Sequence, residues 1–173
     1  AALSYFDFEN IEEIGTYCFT NSALTYVHLE NTSSVQTGAF SNCLFLKNVQ
    51  ISSTLRTLPK YMFKDCTTLD KVELEDKVKK IGESCFSGCT VLLNVKLSST
   101  IEEIGEMAFK DCVSLITITV PSSTKELGKG VFNGCTSLTD VKLEEGVEKL
   151  SELLFSKCTS LSEIVIPASV KEF

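Results

Sequence analysis

Apolar residues fall into columns along this chain, and from Phe40 onward the columns repeat every 23 residues. Seven phenylalanines mark the period: Phe19, Phe40, Phe63, Phe86, Phe109, Phe132 and Phe155. Five positions before each stands Ile14, Val35, Leu58, Ile81, Ile104, Leu127 or Leu150. Eight positions before stand Ile11, Leu55, Val78, Ile101 and Val147, with Thr32 and Thr124 interrupting the column. After each Phe comes an L-x-x-V-x-L triplet, such as Leu69, Val72 and Leu74 or Leu115, Ile118 and Val120. The first unit is shorter, with Phe19 and Phe40 only 21 residues apart. Such a period is the signature of a repeat array, in which each unit buries its apolar edge against its neighbours.

The columns predict the elements of each unit. The triplet alternates at its end and is rich in β-branched residues, so it reads as a short strand. The stretch ending in Phe reads as one turn of helix. Its start is the column of Gly15, Pro59, Gly82, Gly105, Gly128 and Ser151, where proline suits a first helical position. Its end is the residue two after Phe: Asn21, Asn42, Asp65, Gly88, Asp111, Gly134 or Lys157. All but the last are types that tolerate the left-handed region, so the chain reverses there. Stacked coils would align the strands in a parallel sheet at roughly 4.8 Å spacing. The expected fold is an α/β repeat solenoid over 1–173, with about seven full units and partial units at both ends. Neither end shows a polar cap, and a segment of a longer array is expected.

Six of the phenylalanines are followed three residues later by a cysteine: Cys43, Cys66, Cys89, Cys112, Cys135 and Cys158. Disulfides along this ladder are disfavoured, because parallel side chains at the coil spacing do not converge to the 3.5–4.5 Å Cβ separation a disulfide needs. Zinc needs clustered ligands, and the one close pair is Cys85 and Cys89, a C-x3-C. Cys18 and Cys85 share the column just before Phe with Ala39, Met62 and Ala108, which makes them small apolar fillers. All eight cysteines are therefore expected as buried free thiols. Neither a metal nor a cofactor is expected.

Charge and motifs remove other classes. The net charge is −7, with one arginine, Arg56, and no basic run. Nucleic-acid binding needs a cationic footprint, so no nucleic-acid partner is expected. No apolar run reaches the length of a membrane span, and the Ala1-Ala2-Leu3-Ser4 start carries no leader pattern. The single histidine, His28, lies between Val27 and Leu29 and points outward, with Asp7 and Gln50 as expected lateral neighbours. Acyl transfer would also need a nucleophile on that face, and the ladder cysteines point inward. No catalytic residue is assigned. Glu73, Glu75 and Asp76 read as a solvated face, and Asn31-Thr32-Ser33 as a chance glycosylation sequon.

The pattern I-x-x-I-G-x-x-x-F-x-x-C-x-x-L, followed by strand residues Ile118 and Val120, is complete from Ile101 to Val120. With the Ala108-Phe109 and Cys112 element and the Val120-Pro121 and Ile166-Pro167 strand ends, it resembles the BspA-like, or Treponema pallidum-type, leucine-rich repeat. Departures are the short first coil, Ser22 in the cysteine column, Phe45 in a usually polar link, and the two threonines, which should weaken packing. The resemblance implies a right-handed, curved solenoid with the sheet on its concave face and helical or 3-10 turns opposite. It also implies a surface or secreted location and a role in adhesion, with a host matrix protein, a cell-surface protein or a glycan as partner.

In a solenoid the exposed strand positions form the usual binding surface. One expected row holds Tyr5, Tyr26, Asn48, Lys71, Asn94, Thr117, Asp140 and Glu163. The next holds Asp7, His28, Gln50, Glu73, Lys96, Thr119, Lys142 and Val165. Tyr5 and Tyr26 should be adjacent, either as interface anchors or as ordinary β-surface residues. Leu93 and Ile116 form a second apolar spot unless they tuck under the sheet edge. The expected function is a non-catalytic protein- or glycan-binding module. The alternative is an intracellular scaffold using the same face, and a cytoplasmic location goes with it.

Overall fold

The computed structural model describes residues 3–51 and 54–173. Ala1 and Ala2, at the start that lacks a leader pattern, and the Ser52-Ser53 link lie outside the described residues. Six strands, one per coil, run Tyr26–Leu29, Asn48–Ile51, Lys71–Leu74, Asn94–Lys96, Thr117–Val120 and Asp140–Leu143. They form one parallel sheet in which each strand pairs with its repeat equivalent, as in Val27↔Val49, Val49↔Val72 and Val72↔Val95. The inward residues are buried and the outward ones mostly exposed, as the alternation predicts.

The phenylalanine ladder forms the core. Successive rings from Phe19 to Phe155 stack with centroids 5.3–5.9 Å apart and planes within 16° of parallel. That is the offset stack aromatic quadrupoles favour. Phe40, Phe63, Phe86, Phe109 and Phe132 have no solvent exposure. The cysteines bind the same spine. Each Sγ donates to the carbonyl of the Phe one coil earlier: Cys66 to Phe40, Cys89 to Phe63, Cys112 to Phe86 and Cys135 to Phe109, at 3.2–3.3 Å. These carbonyls have two lone pairs, and the second typically takes an N–H three residues on, as Cys112 N–H does at Phe109.

The predicted helical turn is not formed, and among the described residues there is no helix. The segment is a run of overlapping β-turns. In the first coil, Cys18, Thr20 and Ser22 N–H donate back three residues to Gly15, Tyr17 and Phe19. The intervening N–H groups of Tyr17, Phe19 and Asn21 donate instead to the next coil, at Thr37, Ala39 and Ser41. A helix would keep all of these bonds inside the segment. The cause is a second left-handed position, two residues before Phe, occupied by Tyr17, Gly38, Tyr61, Ser84, Met107, Gly130 and Leu153, all at positive φ. The expected position two after Phe is also left-handed in every unit, Lys157 included.

Two further expectations are corrected. Just before these turns the chain forms short strands such as Thr57–Leu58, Lys80–Ile81, Glu103–Ile104 and Glu126–Leu127, which pair in a second parallel sheet. The glycine column lies against this sheet. It is there for close approach and does not start a helix, since a Cβ at Gly105 would sit 2.8 Å from Glu83 N of the preceding coil. Among the described residues the solenoid also has six complete strand-bearing turns and not seven. The last unit meets its neighbour through two isolated bridges, Lys142↔Val165 and Lys149↔Glu172.

The two column-breaking threonines do not weaken the packing. Both are fully buried, and each hydroxyl donates to a carbonyl of the preceding coil, Thr32 to Ile11 at 2.7 Å and Thr124 to Ile101 at 3.0 Å. Cys18, by contrast, is exposed while the other seven cysteines are buried. It sits in the first coil of the described residues. Burial pushes the Cys89 and Cys112 thiols up, and Cys135 up to about 12.

A thiol reagent at neutral pH is therefore expected to label one thiol in the native chain, Cys18, and all eight after denaturation. Disulfides, or several fast native thiols, would contradict this. The sign of the pH effect follows from the same burial. The contribution of a neutral Cys135 is complete below its ordinary value of 9.0 and is lost as pH rises toward about 12.

Candidate functional site

The outward rows form as the alternation predicts. Tyr26↔Asn48, Asn48↔Lys71, Lys71↔Asn94, Asn94↔Thr117 and Thr117↔Asp140 are in register across the sheet. Alongside run His28↔Gln50, Gln50↔Glu73, Glu73↔Lys96 and Thr119↔Lys142. Glu163 lies beyond the last strand, exposed in the final coil. Tyr5 precedes the first strand and lies in an irregular segment. Tyr5 and Tyr26 both line one groove, together with Asp7 and His28.

Local bonds fix part of this surface. Tyr26 hydroxyl donates to Gln50 Oε1 at 3.2 Å, so the ring lies across the sheet toward the next strand. Its centroid is 6.2 Å from that of His28. Lys71 Nζ meets Glu73 Oε1 at 2.7 Å, which holds the Glu73 carboxyl below the ordinary carboxylate range and raises Lys71. Lys142 meets Glu144 at 3.3 Å. Among the described residues no ion pair involves Lys96, although it stands in the middle of the face. Leu93 and Ile116 are both 44% exposed, so the second apolar spot is real and does not tuck under the sheet.

The other side of the solenoid differs. Lys60–Glu83, Lys79–Glu102, Lys80–Glu103, Lys129–Glu152 and Lys149–Glu172 each join a lysine to a glutamate one coil later, at 2.6–3.2 Å. Exposed pairs of this kind add little stability. They do satisfy much of that side's charge from within. The sequence carries their signal, a lysine and a glutamate one period apart, which apolar columns alone do not show.

Among the described residues, no cysteine joins His28 on the outward rows. Asp7 Oδ1 accepts the Glu9 N–H at 2.9 Å. The ladder cysteines are buried in the core, away from His28. Among the described residues no group of three or more His, Cys, Asp or Glu is placed to hold a metal ion. Among the described residues no helix is long and apolar enough to cross a membrane. The sequon is used structurally: Asn31 Nδ2 donates to the Glu9 carbonyl at 2.7 Å, and the Thr32 hydroxyl is the buried donor already described.

Known proteins share this architecture. A Treponema pallidum leucine-rich repeat protein of known crystal structure is 29% identical, with a TM-score of 0.82 over 92% of this chain and 76% of that one. A leucine-rich cell surface protein from Faecalibacterium prausnitzii is 25% identical, with a TM-score of 0.68 over 88% of this chain. A leucine-rich repeat protein from Bacteroides ovatus is also 25% identical, with a TM-score of 0.68 over 92% of this chain. The chain spans 50% of the Faecalibacterium protein and 53% of the Bacteroides one. No curated protein matches. Six copies of the BspA type leucine rich repeat region match across residues 2–87 and 56–173. With its 23-residue period, stacked Phe–Cys spine and in-register sheet, the chain belongs to the BspA-type leucine-rich repeat family.

Proposed function

We propose that this chain is a non-catalytic binding module of an adhesin-like cell-surface or secreted protein, and that it takes a protein or glycan partner on the outward rows of the six-stranded sheet, the concave face of the coil. The observation that carries this reading is the division of labour within each strand. Inward residues repeat from coil to coil and are buried, whereas outward residues are exposed and differ in charge, size and hydrogen-bonding type. A surface built by a repeat but not repeating itself can be specific for one partner. The family and the Faecalibacterium cell surface relative support the location. The eight free thiols favour a second reading, an intracellular scaffold using the same face, since reduced cysteines are usual in a reducing compartment. A signal sequence or anchor in the parent gene would separate the two.

The test is a binding panel of purified host matrix proteins and glycans against the wild-type chain and Thr117→Arg, with Glu126→Arg as control. Thr117 is exposed mid-face, and Glu126 is exposed on the short-strand side. Thr117→Arg is expected to weaken the wild-type interaction at least ~10-fold, the scale of a hot-spot disruption. Glu126→Arg should leave it unchanged. Equal binding by all three chains would count against this face.

A further inference from the structure

At the first-coil end of the sheet, the irregular segment before Tyr26–Leu29 and that strand enclose a groove of about 290 Å³. Its walls carry two tyrosines, Tyr5 and Tyr26, which are 77% and 48% exposed. They also carry His28 and the carboxylates Asp7, Glu9 and Glu30, and no lysine or arginine lines the groove. Neither Asp7 nor Glu9 meets a basic side chain among the described residues. Elsewhere on this molecule the carboxylates commonly take a lysine of the same or the neighbouring coil, as at Glu73, Glu83, Glu102 and Glu152.

We infer that this groove receives an arginine side chain from an extended segment of a protein partner. The inference rests on the reading of the strand face as the binding surface and names the chemistry of one end of it. A cation is attracted both by the face of a tyrosine ring and by a carboxylate, and this groove offers both, with no lysine or arginine in its lining. Arginine suits it better than lysine, because a planar guanidinium stacks on the ring while its fork engages a carboxylate. Tyr26 is already oriented by its bond to Gln50, so little ordering remains on binding. A neutral glycan would also stack on the tyrosines and donate hydroxyls to the carboxylates, but it would leave their negative charge unneutralised.

The test is an NMR titration of the 15N-labelled chain with the peptide acetyl-Gly-Arg-Gly-Arg-Gly-amide, at about 50 mM salt to limit screening. The same peptide with citrulline for arginine keeps the shape and removes the charge. The arginine peptide should shift resonances of Tyr5 to Glu9 and Tyr26 to Glu30. The citrulline peptide, and the Asp7→Asn and Tyr5→Ala variants with the arginine peptide, should each bind at least ~5-fold more weakly, the scale of one cation–π or charge-assisted contact. Equal binding of the two peptides overturns the inference, and so do shifts spread over the acidic surface. If the groove fails while Thr117→Arg still abolishes partner binding, the arginine site falls and the strand-face function stands. If the groove takes arginine while Thr117→Arg changes nothing, the reverse holds.

Discussion

Replacing Phe109 by alanine is expected to lower stability by about 3–5 kcal/mol, the range for removing a fully buried aromatic ring. Phe109 has no solvent exposure and stacks on Phe86 and Phe132, at 5.3 and 5.9 Å between centroids. Its removal takes away two ring contacts and opens a cavity in mid-stack. The backbone around it is tied to both neighbouring coils, by Phe109 N–H to Val131 and by Phe86 N–H to Ala108, so the site cannot collapse freely. In a linear array, weakening one interface also uncouples the coils on either side. Urea unfolding should therefore show an earlier and broader transition. Phe155→Ala is the control, because Phe155 is half-buried and stacks on one ring only, Phe132. A loss at Phe109 below about 1 kcal/mol, or smaller than the loss at Phe155, would mean the ladder is not what holds the coils together.

Gly128→Val is expected to cost about 1–3 kcal/mol, the usual range for overpacking. A Cβ at Gly128 would lie 2.4 Å from Glu106 N and 2.6 Å from Gly105 C. Both are backbone atoms, so no side chain can swing aside and the two coils must part. Gly128 N–H donates to Ile104 carbonyl at 2.8 Å, and that bond stretches as they do. Gly15 stands in the same repeat column, yet a Cβ there meets nothing within 4 Å. Gly15→Ala is therefore expected to be neutral or to stabilise by up to about 1 kcal/mol, through the lower entropy of the unfolded chain. Pro59 and Ser151 carry a Cβ in this column, so the requirement belongs to individual interfaces. Thermal melts of the two variants check it, and equal shifts would contradict it.

The residues that build the core announced themselves by column. Phe, the triplet and the apolar position five before Phe are buried in the central coils, with Leu97 half-buried, and the outward rows follow from strand alternation alone. The turn segment did not announce itself. Its apolar positions fall three and five residues apart, as at Ile101, Ile104 and Phe109, which imitates a helical face. What forbids the helix is the left-handed residue two before Phe, and Tyr17, Tyr61, Met107 and Leu153 are poor advertisements for positive φ. The short strands are two residues long, too short for any period to show. The thiol donors were equally hidden, because a buried cysteine reads as a small hydrophobe whether or not its S–H is used. At the candidate site, the row order could be written from the period. The groove could not, since it depends on how the irregular segment 3–10 folds back beside Tyr26.

Lysine footprinting is the most direct test that the unrepeated strand face, and not the charge-paired side, is the working surface. The chain would be acetylated alone and in complex with the matrix protein or glycan selected by the binding panel. Lys71, Lys96 and Lys142 stand on the face, and Lys79, Lys129 and Lys149 stand on the short-strand side, all exposed. Protection confined to the first three is the predicted result. Protection of the second three with the first three unchanged would contradict it.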